Sequence, residues 1–206
     1  MYPTIEVRWF YQGEVPTAVF DWFTAVADRL VREPVRTDHY LQLLTHDGLG
    51  IKLREGRIEI KQRLKIVQTV QFEEQISGMI EQWHKWSFLL SEQNSLTESI
   101  NTSQWIAVEK LRHLQSFQSN QDKKRQTRFS GLPMDFDCWI ELTNLNVQNE
   151  KWWTLGLESY GDDETAVNTK LIPAVAWLGS FVNPPQLDAQ ASFGYPHWLL
   201  SILKGM

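Results

Sequence analysis

GIKLREGRIEIKQR, residues 50–63, sets five basic side chains into fourteen residues of a chain whose net charge is −5. Glu55-Gly56 suits the two-residue turn of a hairpin, whose central residues take positive φ. Counting back from that turn, alternation places Leu53 opposite Ile58 and Ile51 opposite Ile60 on one face. Lys52, Arg54, Arg57, Glu59, Lys61 and Arg63 share the other. Such a face is either plainly solvated or the wall of an anion site.

Upstream, residues 4–10 (TIEVRWF) alternate as a strand, with Ile5, Val7 and Trp9 on one side and Glu6, Arg8 and Phe10 on the other. Residues 16–33 (PTAVFDWFTAVADRLVRE) space Val19, Phe20, Phe23, Val26, Ala27 and Leu30 as the apolar stripe of a helix. Residues 38–44 (DHYLQLL) form a short strand leading to the hairpin, whose second arm runs on to about Phe72. Residues 73–103 read equally as a short helix with a polar loop or as a strand near residues 81–88. Residues 104–117 (QWIAVEKLRHLQSF) alternate as a long strand, with DKKRQTRF at 122–129 as its hairpin partner. Residues 137–145 and 151–160, rich in aromatic and β-branched side chains, form another hairpin joined by NVQNE. The C-terminal part reads as a helix opened by GDDET and kinked at Pro173, then a short helix over PHWLLSILK. The sum is an α+β chain, mainly β, of seven or eight mostly antiparallel strands in a sheet that curls or closes. One domain is expected over 1–206, ending in a helical segment from about residue 162.

With 42% hydrophobic residues and ten Trp, the chain has ample material for a packed core. Those Trp are either core or, where exposed, interface residues. The acidic balance argues against a broad nucleic-acid-binding surface. The opening MYPTIEVRWF has no basic segment followed by an apolar one, and no run approaches the roughly 18 apolar residues of a membrane helix. A cytoplasmic protein with no membrane partner is therefore expected, and a homodimer is left open. The single cysteine, Cys138, reads as a buried apolar side chain.

Gly-rich phosphate loops, nucleophile elbows and His-Glu-x-x-His are all absent, and the five His stand far apart, His84 among them as a surface or half-buried residue. No catalytic residue is assigned. What remains is charge inside strands: the hairpin, Glu6 and Arg8, Lys110 and Arg112, Glu141, and Glu158. Singly, each reads as solvent-facing. Turned inward together, they would demand pairing, a metal or an anionic ligand.

The order IEVRWF, DHYLQLL, IKLREGRIEIKQR, VEKLRH and WTLGLES resembles the CYTH, or triphosphate tunnel metalloenzyme, superfamily from about residue 4 to about residue 160. The resemblance implies a closed or nearly closed eight-stranded antiparallel tunnel barrel with a few flanking helices. It implies that Lys52, Arg54, Lys61, Lys110 and Arg112 face phosphate, with Arg8 and Arg63 as further anion-binding candidates. It also implies that Glu6, Glu158 and Glu141 sit by Mg²⁺ or Mn²⁺. Arg forks match phosphate oxygens, and hard divalent ions prefer carboxylates.

Arg8 and Phe10 stand where the family's E-x-E-x-K pattern has its second Glu and its Lys. A cation beside a divalent ion is repelled at close range. The favoured reading is therefore a diverged relative that binds a phosphate or triphosphate without necessarily cleaving it. The alternatives are an active Mg- or Mn-dependent triphosphatase or nucleotide cyclase-like enzyme, a structural or protein-interaction module, and an unrelated sheet whose charged face is merely solvated.

Overall fold

A computed structural model describes residues 1–25, 30–90, 103–118, 128–129, 132–133, 137–161 and 164–205. The opening hairpin forms as its turn chemistry dictates. Strands β4 (Leu49–Arg54) and β5 (Arg57–Glu73) meet at Glu55 and Gly56, with φ of 48° and 72°. The register pairs Ile51 with Ile60, Lys52 with Glu59 and Leu53 with Ile58. Gly56→Ala is expected to lower stability by about 1–2 kcal/mol, the cost of a Cβ in left-handed backbone. Urea unfolding of the two proteins would measure it.

The remaining strands are β1 (Tyr2–Gln12), β2 (Val31–Arg32), β3 (Arg36–Leu41), β6 (Ile76–Leu89), β7 (Trp105–Phe117), β8 (Arg128–Phe129), β9 (Leu132–Pro133), β10 (Cys138–Val147) and β11 (Glu150–Tyr160). The sheet runs β10-β11-β1-β6-β5-β4-β3-β7, and β7 pairs back onto β10. Eight antiparallel strands thus close a barrel, while β2 extends the β3 side of β7.

Closure explains where the structure departs from local sequence signals. The undecided stretch after Glu73 is β6, which pairs with both β5 and β1. Helix α1 is described over Thr17–Ala25, and Val26 and Ala27 of the expected stripe lie outside the described residues. Leu30 is not helical, and Val31–Arg32 pair with Leu114 and His113 of β7, so a strand pairing overrides the helical pattern there. The expected partner of β7 at DKKRQTRF falls partly outside the described residues. Its last two residues, Arg128 and Phe129, pair with Pro133 and Leu132 instead, because β3 and β10 already take both edges of β7.

Outside the barrel, α1, α2 (Glu164–Ala166), a π-helical turn (Val167–Leu171) and α3 (Ile172–Gly179) cover the apolar face of β1, β10 and β11. Ile5, Val7, Trp9, Ile140, Leu142, Leu155 and Leu157 pack there against Phe23, Leu171, Val175 and Leu178. The wide turn lies directly before Pro173, near the expected kink. Ile172 N–H bonds back to Val167 O, giving the proline ring room that an α-helical turn denies it.

The inner face holds a second apolar cluster at one end of the barrel, made by Phe10, Tyr40, Ile106, Val108, Leu145 and Val147 around Trp198 of α4 (Tyr195–Lys204). α4 reaches that end by a wedge. β1 pairs with β6 only from Tyr2 to Glu6. Beyond it, Trp9 bridges Ser192, and Phe193 N–H donates to Arg8 O at 3.0 Å. On the β6 side, Ser77 N–H donates to Leu187 O at 2.8 Å and Met79 N–H to Ser192 Oγ at 2.8 Å. The chain between Leu187 and Phe193 therefore satisfies both parted edges and delivers α4 as the barrel's plug. Trp198 stacks on Phe10 and meets Tyr195 edge-on. Trp9, Trp22, Trp83, Trp153 and Trp198 are buried in the core, while Trp86, Trp105, Trp139, Trp152 and Trp177 are half-buried.

Candidate functional site

Strand alternation turns the charged faces of β1, β3, β4, β5, β7, β10 and β11 inward, above the apolar plug. All ten candidate residues lie on that inner face, and each is ion-paired.

At the deepest level, Arg8 is 6% exposed and lies between Glu6, to which its Nε donates, and Glu141, to which Nη1 donates at 2.6 Å. Arg112 Nε donates to the other Glu141 oxygen at 2.8 Å, and Arg112 Nη1 to Glu33 at 3.0 Å. Burial would raise the Glu141 carboxyl, but Arg112, Arg8 and Lys110 outweigh it and hold Glu141 well below the usual carboxylate range. Burial likewise raises Glu6, and Lys61 and Arg8 reverse that shift.

Asp38 forms a second node that the sequence reading left unassigned. It is fully buried and receives Lys110 at 3.3 Å, Lys52 at 3.4 Å and Arg36 at 3.2 Å. Those cations together overcome burial and depress its pKa. Lys110 also donates to Tyr40 Oη at 2.6 Å and sits 3.8 Å from the centroid of the Tyr195 ring. Burial drives the Lys110 ammonium well below its ordinary value, and Asp38 opposes this only in part.

Nearer the other end of the barrel the side chains are about a quarter exposed. Lys52 and Arg54 share Glu59 at 3.0 and 2.7 Å. Lys61 reaches Glu6 and, at 3.6 Å, Glu158, which also receives Lys85. Arg57 donates to Ser87 Oγ at 2.8 Å. The register makes this pairing necessary. Glu6 stands directly across from both Glu158 and Glu81, and Lys61 across from Lys85. Like charges in opposed positions repel, so the glutamate row and the lysine pair hold only by neutralising each other. Arg63 completes the wall, bridging Glu81 and Asp47 at 2.8 Å each. Burial nevertheless raises the Glu81 carboxyl.

The inward orientation overturns the reading of a merely solvated face. The carboxylates Glu33, Asp38, Glu59 and Glu81, which the sequence reading had not assigned to the site, are its counterions. Asp38 had a signal in the quoted DHYLQLL strand, where its parity matches Tyr40; Glu81 had only the strand alternative near residues 81–88, which periodicity left undecided. Cys138 is buried, and burial pushes its thiol up to about 12, which removes it as a nucleophile at neutral pH.

The donor set does not suit a divalent ion. Both oxygens of Glu6 and both of Glu141 are engaged by Arg8, Lys61 and Arg112. Glu158 faces Lys61 and Lys85. Among the described residues, no group of three or more His, Cys, Asp or Glu is arranged to hold a metal.

No protein-family model matches the chain, and no curated protein matches it. Solved structures with a similar course of backbone include PH1819 from Pyrococcus horikoshii OT3, at 11% identity and TM-score 0.48, covering 98% of this chain and 99% of that one. PH1012 from the same organism has 13% identity and TM-score 0.44, covering 92% and 93%. A chain of the Schizosaccharomyces pombe Mediator head module has 10% identity and TM-score 0.47, covering 87% and 96%. At such identities and scores the likeness carries nothing about activity. Among the described residues, no helix is long and apolar enough to cross a membrane.

Proposed function

We propose that the barrel is a cytoplasmic anion-binding site, with a phosphate or short polyphosphate held at the charged level by Lys52, Arg54, Arg57, Lys61 and Lys85. The observation that carries this is the local charge balance. Five half-buried cations on one inward face meet three carboxylates, Glu55 at the turn, Glu59 and Glu158; Asp38 and Glu6, which pair with Lys52 and Lys61, lie deeper. Surplus positive charge in a recess of reduced dielectric attracts a compact anion more strongly than the same charges would on an open surface. Arg54 and Arg57 supply forked donors and the lysines point charges, a mixture that fits phosphate oxygens.

The test is a thermal-shift titration with tripolyphosphate, pyrophosphate and sulfate, with released phosphate assayed in parallel. At about a hundred times its dissociation constant, a ligand stabilises the folded state by ~2.7 kcal/mol. The expected result is stabilisation that grows with anion charge, weakens with salt, and falls at least tenfold in affinity in Arg57→Ala/Lys85→Ala. Burial holds the Lys52 pKa below its ordinary value, so the site loses a positive charge as pH rises through that lowered pKa. Anion affinity should accordingly decline between pH 7 and pH 10. Rapid phosphate release would point to a triphosphate hydrolase instead. No response to any anion would leave the barrel as a structural or interaction module.

A further inference from the structure

We infer that Arg8 is the resident cation of the barrel interior, occupying between Glu6 and Glu141 the place that a divalent ion would need, so that the interior takes no divalent metal. This concerns the same interior as the anion reading but stands or falls separately from it.

The position is built for a guanidinium on three sides. Glu6 and Glu141, on β1 and β10, each direct one oxygen at Arg8. Their remaining oxygens are held by Lys61 and Arg112, so every oxygen of both carboxylates already accepts from a cation. Gly156, directly across from Arg8 on β11, is the floor. A Cβ there would come within 2.5 Å of Arg8 Nη2 and 2.7 Å of Nη1, so the guanidinium occupies space that only a glycine leaves. The Tyr195 ring, with its centroid 5.0 Å from Arg8 Cζ, closes the opposite side. A divalent ion entering here would have to displace a buried arginine that cannot shed its charge, and would meet Arg112 and Lys61 at close range. Arg8 thus does what a metal would do for these carboxylates: it neutralises two of them at once. It is a positioning residue for the cationic wall, since Glu6 released from Arg8 would be free to take more of Lys61.

The full-length protein would be titrated with Mn²⁺ alone, following bound metal by the loss of the free-ion paramagnetic signal and the melting temperature. The tripolyphosphate response would be measured in EDTA and in Mg²⁺ at matched free anion. The expected results are no Mn²⁺ uptake up to millimolar concentration and an anion response unchanged by EDTA. Arg8→Gln, which frees one oxygen on each glutamate, is expected to gain at least tenfold in Mn²⁺ affinity, whereas Arg8→Lys is not. Micromolar Mn²⁺ binding by the unmodified chain overturns the inference even if Arg8→Gln fails to fold. An anion response that requires Mg²⁺ also overturns it while leaving the anion site intact. Absence of both anion and Mn²⁺ binding sinks the anion reading and supports the resident-cation assignment.

Discussion

Glu141→Gln is expected to destabilise the fold by about 3–5 kcal/mol, the cost of removing one partner from a buried ion pair and stranding the others. Glu141 neutralises Arg8 and Arg112 together. Neither arginine can release its proton: burial opposes the charge of both, but Glu141, with Glu6 at Arg8 and Glu33 at Arg112, outweighs it and raises them. Asp38→Asn makes a useful contrast. Asp38 is the more buried node, yet Lys110 beside it already has a depressed pKa and can become neutral when its partner is lost. A smaller loss is therefore expected. In that variant the folded state binds fewer protons than the unfolded one over the alkaline range, so its stability should recover as pH rises from 7 toward 10. Glu141→Gln should show no such recovery. Urea unfolding of the three proteins at several pH values separates the two behaviours. In the unmodified protein, the depressed carboxylates Glu141, Asp38 and Glu158 contribute stability that is present above their unfolded pKa values and lost as pH falls through the folded ones. Acid unfolding is thus expected only below the ordinary carboxylate range.

Trp198→Ala is expected to cost a further about 3–5 kcal/mol in its own right, the usual penalty for emptying a large aromatic site in a core that collapses poorly. Trp198 has no exposure and is held by Phe10, Trp152 and Tyr195 from three directions. The strands around it are fixed by barrel closure, so they cannot close in on the cavity. The variant should also lose near-ultraviolet circular dichroism and weaken the charged layer above, because Tyr195 packs on both Arg8 and Lys110. Val182→Ala, at an 85% exposed position, should fall within about 0.5 kcal/mol of the unmodified protein.

The hairpin at residues 50–63 was legible because its turn, alternation and pairing all reside within fourteen residues. Its register in the barrel is the one the alternation implies. The β10–β11 hairpin was legible for the same reason, with Gln148 and Asn149 supplying the positive φ of its turn. The end of α1 and the strand β6 were not, because what decides them lies elsewhere in the chain. Val31 and Arg32 become a strand only when β7 offers an edge, and β6 mixes glutamate, tryptophan and lysine on a face whose polarity makes sense only inside the barrel. The wedge around Ser192 left no periodic trace at all, since its role is to satisfy two edges that separate in three dimensions.

For the candidate site the division falls along the same line. By itself the sequence determined which side chains share a strand face, because alternation is local: Glu6 with Arg8, Lys52 with Arg54, Lys61 with Arg63, Lys110 with Arg112. Only the tertiary structure decided that these faces turn inward and that Asp38, Glu59 and Glu81 balance them. It alone decided that Gly156 makes room for the Arg8 guanidinium. The physical reason is that a buried charge is stable only against its counterion, and the counterions arrive from strands far apart in sequence.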